Sequence, residues 1–316
     1  MRECPRDTCF WPDTTCNQGH IDPSACPVLT ADIAAWQGDP PPPDAVVMPW
    51  SGGALGLADL GFVAGRKKPT VLAIMGPQNA GKTTLLGAWY LLLGRGAIQD
   101  DLRFSGSCSL AGWEAIASSL RWEPGSVSPS FPPHTSSRST RAPGLMHLAF
   151  KGGADHRRDY VLTDAPGEWF RKWAVNCEAP DAEGARWAAE HADIFLLVAD
   201  REALAGPERG AARTDIQLLA RRLAEDLRGR PVALVWTKAD TLISEDTEKS
   251  VRNAVLRAVP RAREFSVSIM SESEGTGTGQ GLVALLRWAL HVRGPALQLP
   301  EPTGNSLDPL FILGVR

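Results

Sequence analysis

Gly76, Gly81, Lys82 and Thr83 stand at the spacing Gly-x-x-x-x-Gly-Lys-Thr within residues 74–84. That spacing suits the cradling of phosphate. Two glycines let the chain turn tightly, so that successive amide N–H groups point inward as an anion nest. A helix starting at the lysine adds the positive end of its dipole. Lys82 is then expected on the β- and γ-phosphates of a nucleoside triphosphate, and the Thr83 hydroxyl on Mg²⁺. Asn79, Ala80, Gly81 and Thr84 complete the expected phosphate-binding set, with Gln78 beside Asn79 at the loop crown. An apolar run over residues 70–75 leads in and a helical run over residues 83–93 leads out, the strand–loop–helix setting this motif needs.

Three further groups follow in order, each after an apolar run. Asp164-Ala165-Pro166-Gly167 offers a carboxylate for Mg²⁺ and an N–H at Gly167 for the γ-phosphate. Thr237-Lys238-Ala239-Asp240 resembles the Asn/Thr-Lys-x-Asp motif of GTPases, in which the carboxylate accepts two hydrogen bonds from guanine. Ser266-Val267-Ser268-Ile269 resembles the segment that braces the guanine oxygen, with Ser268 the better match and Ser271 the alternative. As an ordered set over about residues 70–293, these motifs resemble the TRAFAC-class GTPases. The resemblance implies guanine selection by Asp240, Lys238 lying along the base and the phosphate loop, and Thr237 and Ser268 at the base end. It also implies a switch threonine closing over Mg²⁺, for which Thr140 has the better spacing and Thr135 is the alternative. Within the class, residues 164–170, a long Pro/Ser-rich switch over residues 123–143 and an N-terminal cysteine cluster are similar to GTPase-like proteins of bacterial conflict and defence operons, including the paired double-GTPase type. One departure bears on catalysis. Glu168 occupies the position where small GTPases usually carry a water-orienting Gln, and its charge beside a γ-phosphate is unfavourable. Lys82, Glu168 and Thr140 are the candidate catalytic residues, and the expected hydrolysis is slow or partner-stimulated. Arg138 and Arg141 are candidates for an arginine finger.

The elements that must position these groups alternate along the chain. Strands are expected at residues 70–75, 102–107, 193–199, 232–236 and 264–269, with a hairpin of 145–151 and 158–163 across Gly152-Gly153. Helices are expected at 83–93, 110–121, 181–191, 214–227, 245–258 and 281–292, and residues 167–173 are read as a loop that senses the γ-phosphate. The alternation predicts an α/β three-layer P-loop sandwich, a mostly parallel sheet with one antiparallel edge strand and helices on both faces. Ligand is expected at the carboxyl ends of the strands.

Residues 1–38 differ in kind. They hold four of the six cysteines, Cys4, Cys9, Cys16 and Cys26, with His20 among them. In a reducing compartment such a turn-rich arm is clipped by metal more readily than by disulfides, and thiolate with imidazole suits tetrahedral Zn²⁺. Cys4-x4-Cys9 with Cys16-x3-His20, or Cys16 with Cys26, are the candidate pairs. Five ligands compete for four places, and a disulfide pair or free thiols is the alternative. Residues 39–69 read as a Pro/Gly-rich linker, 70–293 as the nucleotide-binding domain and 294–316 as a tail ending in an apolar patch at 310–313. A net charge of −3 argues against a general nucleic-acid binder, and no apolar run approaches a membrane span. The N-terminal residues carry no hydrophobic signal segment, so a cytoplasmic protein is expected. Expected partners are a guanine nucleotide and a protein, either a second GTPase or another copy of this chain.

Overall fold

A computed structural model of the chain describes residues 53–65, 67–97, 101–121, 143–153, 157–269 and 280–295. The candidate zinc ligands Cys4, Cys9, Cys16, His20 and Cys26, the switch candidates Thr135 and Thr140, Arg138, Arg141 and Ser271 all lie outside the described residues.

Seven strands form one sheet: β1 (Thr70–Met75), β2 (Arg103–Gly106), β3 (Gly144–Lys151), β4 (Arg157–Asp164), β5 (Ile194–Asp200), β6 (Val232–Thr237) and β7 (Arg263–Ser266). Their order is β2-β3-β4-β1-β5-β6-β7. β4, β1, β5, β6 and β7 are mutually parallel, whereas β3 runs antiparallel to both β4 and β2. The expected antiparallel strand is therefore present but is not outermost, because β2 pairs along its far side. β1 and β5 sit centrally because their residues are apolar on both faces.

Successive strand residues feed opposite layers. Val71, Ala73 and Met75 of β1 face one core, and Leu72 and Ile74 the other. The first core is closed by α4 (Gly167–Val175), α5 (Glu183–His191), α7 (Arg209–Asp226) and α8 (Glu245–Ala258). The second is closed by α2 (Lys82–Gly94), α3 (Leu110–Ser118) and α9 (Gln280–His291). Two short helices, α1 (Leu60–Ala64) and α6 (Arg201–Ala205), complete the described set. Before β1, Leu55 is buried and bridges Leu145 of β3. Among the described residues, no helix is long and apolar enough to cross a membrane.

The expected bounds of α8 agree with the observed ones because its start carries a clear local signal. The Ser244 hydroxyl accepts the Thr247 N–H at 3.3 Å, and Glu245, Asp246 and Glu248 crowd the positive first turn. Residues 167–173, expected as a loop, are instead the body of α4. Trp169, Phe170, Trp173 and Ala174 are all buried, a one-face pattern at helical spacing whose burial favours the helix over a loop.

α4 and α5 meet where Gly184 lies against the Trp169 ring, and a Cβ at Gly184 would stand 2.1 Å from that ring. Gly184→Ala forces Trp169, only 3% exposed, out of its place in the core. We expect a loss of about 2–3 kcal/mol, read as a lower urea midpoint with an unchanged m-value. An unchanged midpoint would show that the ring has room the packing denies it.

Candidate functional site

Four strands of the parallel set, β1, β4, β6 and β7, deliver their carboxyl ends to one cavity of about 430 Å³. After β1 come Gln78 to Leu85, and after β4 come Ala165 to Glu168. The ends of β6 and β7 add Thr237, Lys238, Asp240, Thr241 and Val267 to Ile269, with Glu202 and Leu282 at the wall. Parallel strands put all their carboxyl ends on one edge, so residues as far apart in sequence as Gln78 and Ile269 converge there.

The turn from β1 into α2 is built on left-handed backbone at Asn79 (φ 61°) and Gly81 (φ 79°). A side chain at Gly81 would be strained whatever its surroundings. Gly76 lies close under β5, where a Cβ would stand 3.0 Å from Val198. Lys82 opens α2, and its first-turn N–H groups have no acceptor within the helix. The Lys82 ammonium donates to the carbonyls of Gly76 (3.1 Å) and Pro77 (2.8 Å), folding back over the loop. Burial lowers its pKa to about 8, against the opposing pull of the Asp164 and Glu168 carboxylates. A cation held at this cost, on a loop of inward N–H groups, is matched to a polyanion.

Thr83 Oγ1 donates to Asp164 Oδ1 at 3.0 Å, tying the start of α2 to the end of β4. This hydroxyl–carboxylate pair is an all-oxygen set of the kind a hard divalent cation takes, and Mg²⁺ fits it chemically. Gly167 packs backbone to backbone against the phosphate loop. A Cβ there would stand 2.1 Å from Gln78 N and 2.3 Å from the Pro77 carbonyl carbon. The amino end of α4 is thus aimed at the phosphate loop, with exposed Glu168 in its first turn lining the cavity.

At the other end, Thr237 does not present its hydroxyl to the cavity. Its Oγ1 donates to Ala80 O at 2.9 Å, with a longer contact of 3.4 Å to Ala199 O. It straps the phosphate loop to β6 across the intervening β5. Lys238 takes left-handed backbone (φ 51°), and its ammonium binds Asp200 Oδ2 (2.8 Å) and Glu202 Oε2 (2.7 Å). The resemblance expects Lys238 along the base and the phosphate loop of a bound nucleotide; the described partners of its ammonium are these two carboxylates. The Ser268 hydroxyl donates to Asp240 Oδ1, and Ala239 N to Val267 O at 3.1 Å, joining the two base-end loops.

Of the candidate residues, Asn79, Ala80, Gly81, Lys82, Thr83, Thr84, Gly167, Glu168, Thr237, Lys238, Asp240 and Ser268 all line this cavity, and Asp164 reaches it through Thr83. Asp200 and Glu202 were missed. Their signal was available: an Asp at the end of an apolar strand followed by Glu two residues later, at the edge where ligand is expected. Among the described residues, no group of three or more His, Cys, Asp or Glu is arranged to hold a metal ion.

No curated protein matches the sequence. Similar solved structures include the apo form of translation elongation factor SelB from Methanococcus maripaludis, at 19% identity and a TM-score of 0.36. That match covers 71% of this chain and 35% of the SelB chain, so this chain spans about a third of that protein's length. Another is a protein described as nucleolar GTP-binding protein 1 from Plasmodium falciparum, at 12% identity and a TM-score of 0.36, covering 70% of this chain and 90% of that one. The Double-GTPase 2 family matches residues 70–289, from the first residue of β1 into α9. With that match spanning the phosphate loop, Asp164, Gly167 and Asp240, the chain belongs to the Double-GTPase 2 family of P-loop GTPases.

Proposed function

We propose that the chain is a GTP-binding switch with slow, partner-stimulated hydrolysis. The observation that carries this reading is one cavity lined both by the phosphate loop with Gly167 and by Asp240 with Ser268. In this reading Lys82 and the first turn of α2 hold phosphate, Thr83 and Asp164 hold Mg²⁺, and Gly167 senses the γ-phosphate. Mg²⁺ supplies charge neutralisation on the triphosphate when bound. Asp240, held by Ser268, accepts from guanine, while Thr237 acts indirectly by fixing the loop at Ala80. Glu168 supports slow turnover. Its exposed carboxylate lines the cavity at the amino end of α4, and a fixed negative charge there opposes a γ-phosphate. A partner, either a second GTPase or another copy of this chain, supplies what Glu168 lacks. The arm over residues 1–38, joined through residues 39–69, carries zinc in a structural role, residues 294–316 form a tail, and the setting is a cytoplasmic bacterial defence system.

The deciding experiment is calorimetric titration with non-hydrolysable GTP and ATP analogues and Mg²⁺. The GTP analogue should bind at least about a hundredfold more tightly, because guanine offers the Asp240 carboxylate two donors that adenine does not present in that arrangement. Asp240→Ala should erase the preference and leave the two analogues within about threefold of each other. Equal binding of both analogues by the wild-type protein would sink the guanine assignment.

A further inference from the structure

Lys238 is held in a way that the proposed recognition of guanine does not require. Its backbone is left-handed (φ 51°), an arrangement non-glycine residues keep only where the surroundings enforce it. Its ammonium meets two carboxylates rather than one, Asp200 at 2.8 Å and Glu202 at 2.7 Å. The two differ in kind. Asp200 is buried at the end of β5, with its side chain 4% exposed. Its other oxygen, Oδ1, accepts the backbone N–H groups of Glu202 (2.9 Å) and Ala203 (3.3 Å) at the start of α6. That carboxylate is already fixed before Lys238 reaches it. Glu202 is 69% exposed and lines the cavity beside Lys238 and Asp240. Burial alone would lower the Lys238 pKa, but the hydrogen bonds from Asp200 and Glu202 outweigh it and hold the ammonium charged.

We infer that Asp200 and Glu202 are positioning residues, a carboxylate clamp that fixes Lys238 at the wall of the nucleotide cavity and so sets how long guanine nucleotide stays bound. The inference rests on the guanine-nucleotide reading and deepens it. A free lysine loses considerable rotamer freedom when a ligand orders it. Here the fold itself does that ordering, through a carboxylate that is itself pinned by a helix start. The binding step no longer bears that cost, and the gain appears mainly in the dissociation rate. The two arms are unequal. The buried Asp200 arm carries most of the effect, and the solvent-facing Glu202 arm is screened and weaker.

The test is the dissociation rate of a fluorescent GDP, chased with unlabelled GDP, from the full chain. Asp200→Asn keeps an Ncap acceptor for α6 while removing the charge, since Asn caps as well as Asp. It should speed dissociation about tenfold. Glu202→Gln should speed it about two- to threefold. In a Lys238→Met background, Asp200→Asn should have no further effect, because the interaction it disrupts is gone. An unchanged rate in Asp200→Asn, or an equal acceleration with and without Lys238, overturns the clamp, since Asp200 would then act through α6 alone. Failure of the wild-type protein to retain guanine nucleotide is a distinct result and overturns the parent reading together with the inference.

Discussion

Lys82→Met is expected to stabilise the nucleotide-free protein while abolishing its binding of triphosphate. Lys82 is only 7% exposed, and burial has lowered its pKa from 10.5 to about 8. Between those values the unfolded chain binds a proton that the folded chain does not. For this group, stability therefore rises with pH from about 8 to about 10.5, and the full penalty is present below 8. A shift of that size corresponds to about 3 kcal/mol, and losing the bonds to Gly76 O and Pro77 O returns about 1 kcal/mol. Methionine should thus raise stability near pH 7 by about 2 kcal/mol, seen as a higher melting temperature, and flatten the rise between pH 8 and 10.5. The same change removes a charge-assisted contact to phosphate, and affinity for a GTP analogue should fall by at least about a hundredfold. In the wild-type protein, nucleotide binding should take up a proton above pH 8, so affinity should weaken about tenfold per pH unit there. A melting temperature that is unchanged or lower in Lys82→Met, with the alkaline slope intact, would show that the buried ammonium carries no strain.

Lys82 also shows how the sequence can name a residue without describing its state. Its identity and its place at the start of α2 follow from the spacing of glycines behind an apolar strand. Its carbonyl partners and lowered pKa depend on the loop folding back beneath it. The same division recurs elsewhere. β1 and α8 were legible to the residue because their signals are local: an unbroken apolar run in one, and a serine cap with an acidic first turn in the other. α4 was not, because Pro166 and Gly167 read as turn residues, although Trp169, Phe170 and Trp173 already stand at helical spacing. α6 is too short, at Arg201–Ala205, for periodicity to show. The Thr237–Ala80 strap and the Lys238 clamp join residues 157 and 38 positions apart. Such contacts come from sheet order, which single-residue patterns do not encode. The motif order names the cavity's lining, and the sheet order decides which of those side chains face it.

Gly167→Ala is expected to disable the site from the outside, by pushing the phosphate loop away from α4. A Cβ at Gly167 would lie 2.1 Å from Gln78 N and 2.3 Å from the Pro77 carbonyl carbon, both backbone atoms that no rotamer change can clear. Ordinary contact begins at 3.4 Å, so one of the two segments must move by more than about 1 Å. α4 is the less yielding partner, because Trp169, Phe170 and Trp173 anchor it in the core. The crown of the loop, where Gln78 is exposed, moves instead. The first-turn N–H groups of α2 and the Lys82 carbonyl partners then lose their register with a bound triphosphate. A displacement of this size costs on the order of a hundredfold where geometry is tight. GDP and a GTP analogue should both bind ten- to a hundredfold more weakly (about 1.4 to 3 kcal/mol), while the fold pays about 1–3 kcal/mol in overpacking. Gly210→Ala in α7 is the control: nothing lies within 4 Å of a Cβ there, and binding should be unchanged. If Gly167→Ala spares GDP and weakens only the GTP analogue, α4 has yielded rather than the loop, and the loop is the more rigid of the two. If both affinities stay at their wild-type values, the close approach of Gly167 to the loop has no part in holding the nucleotide.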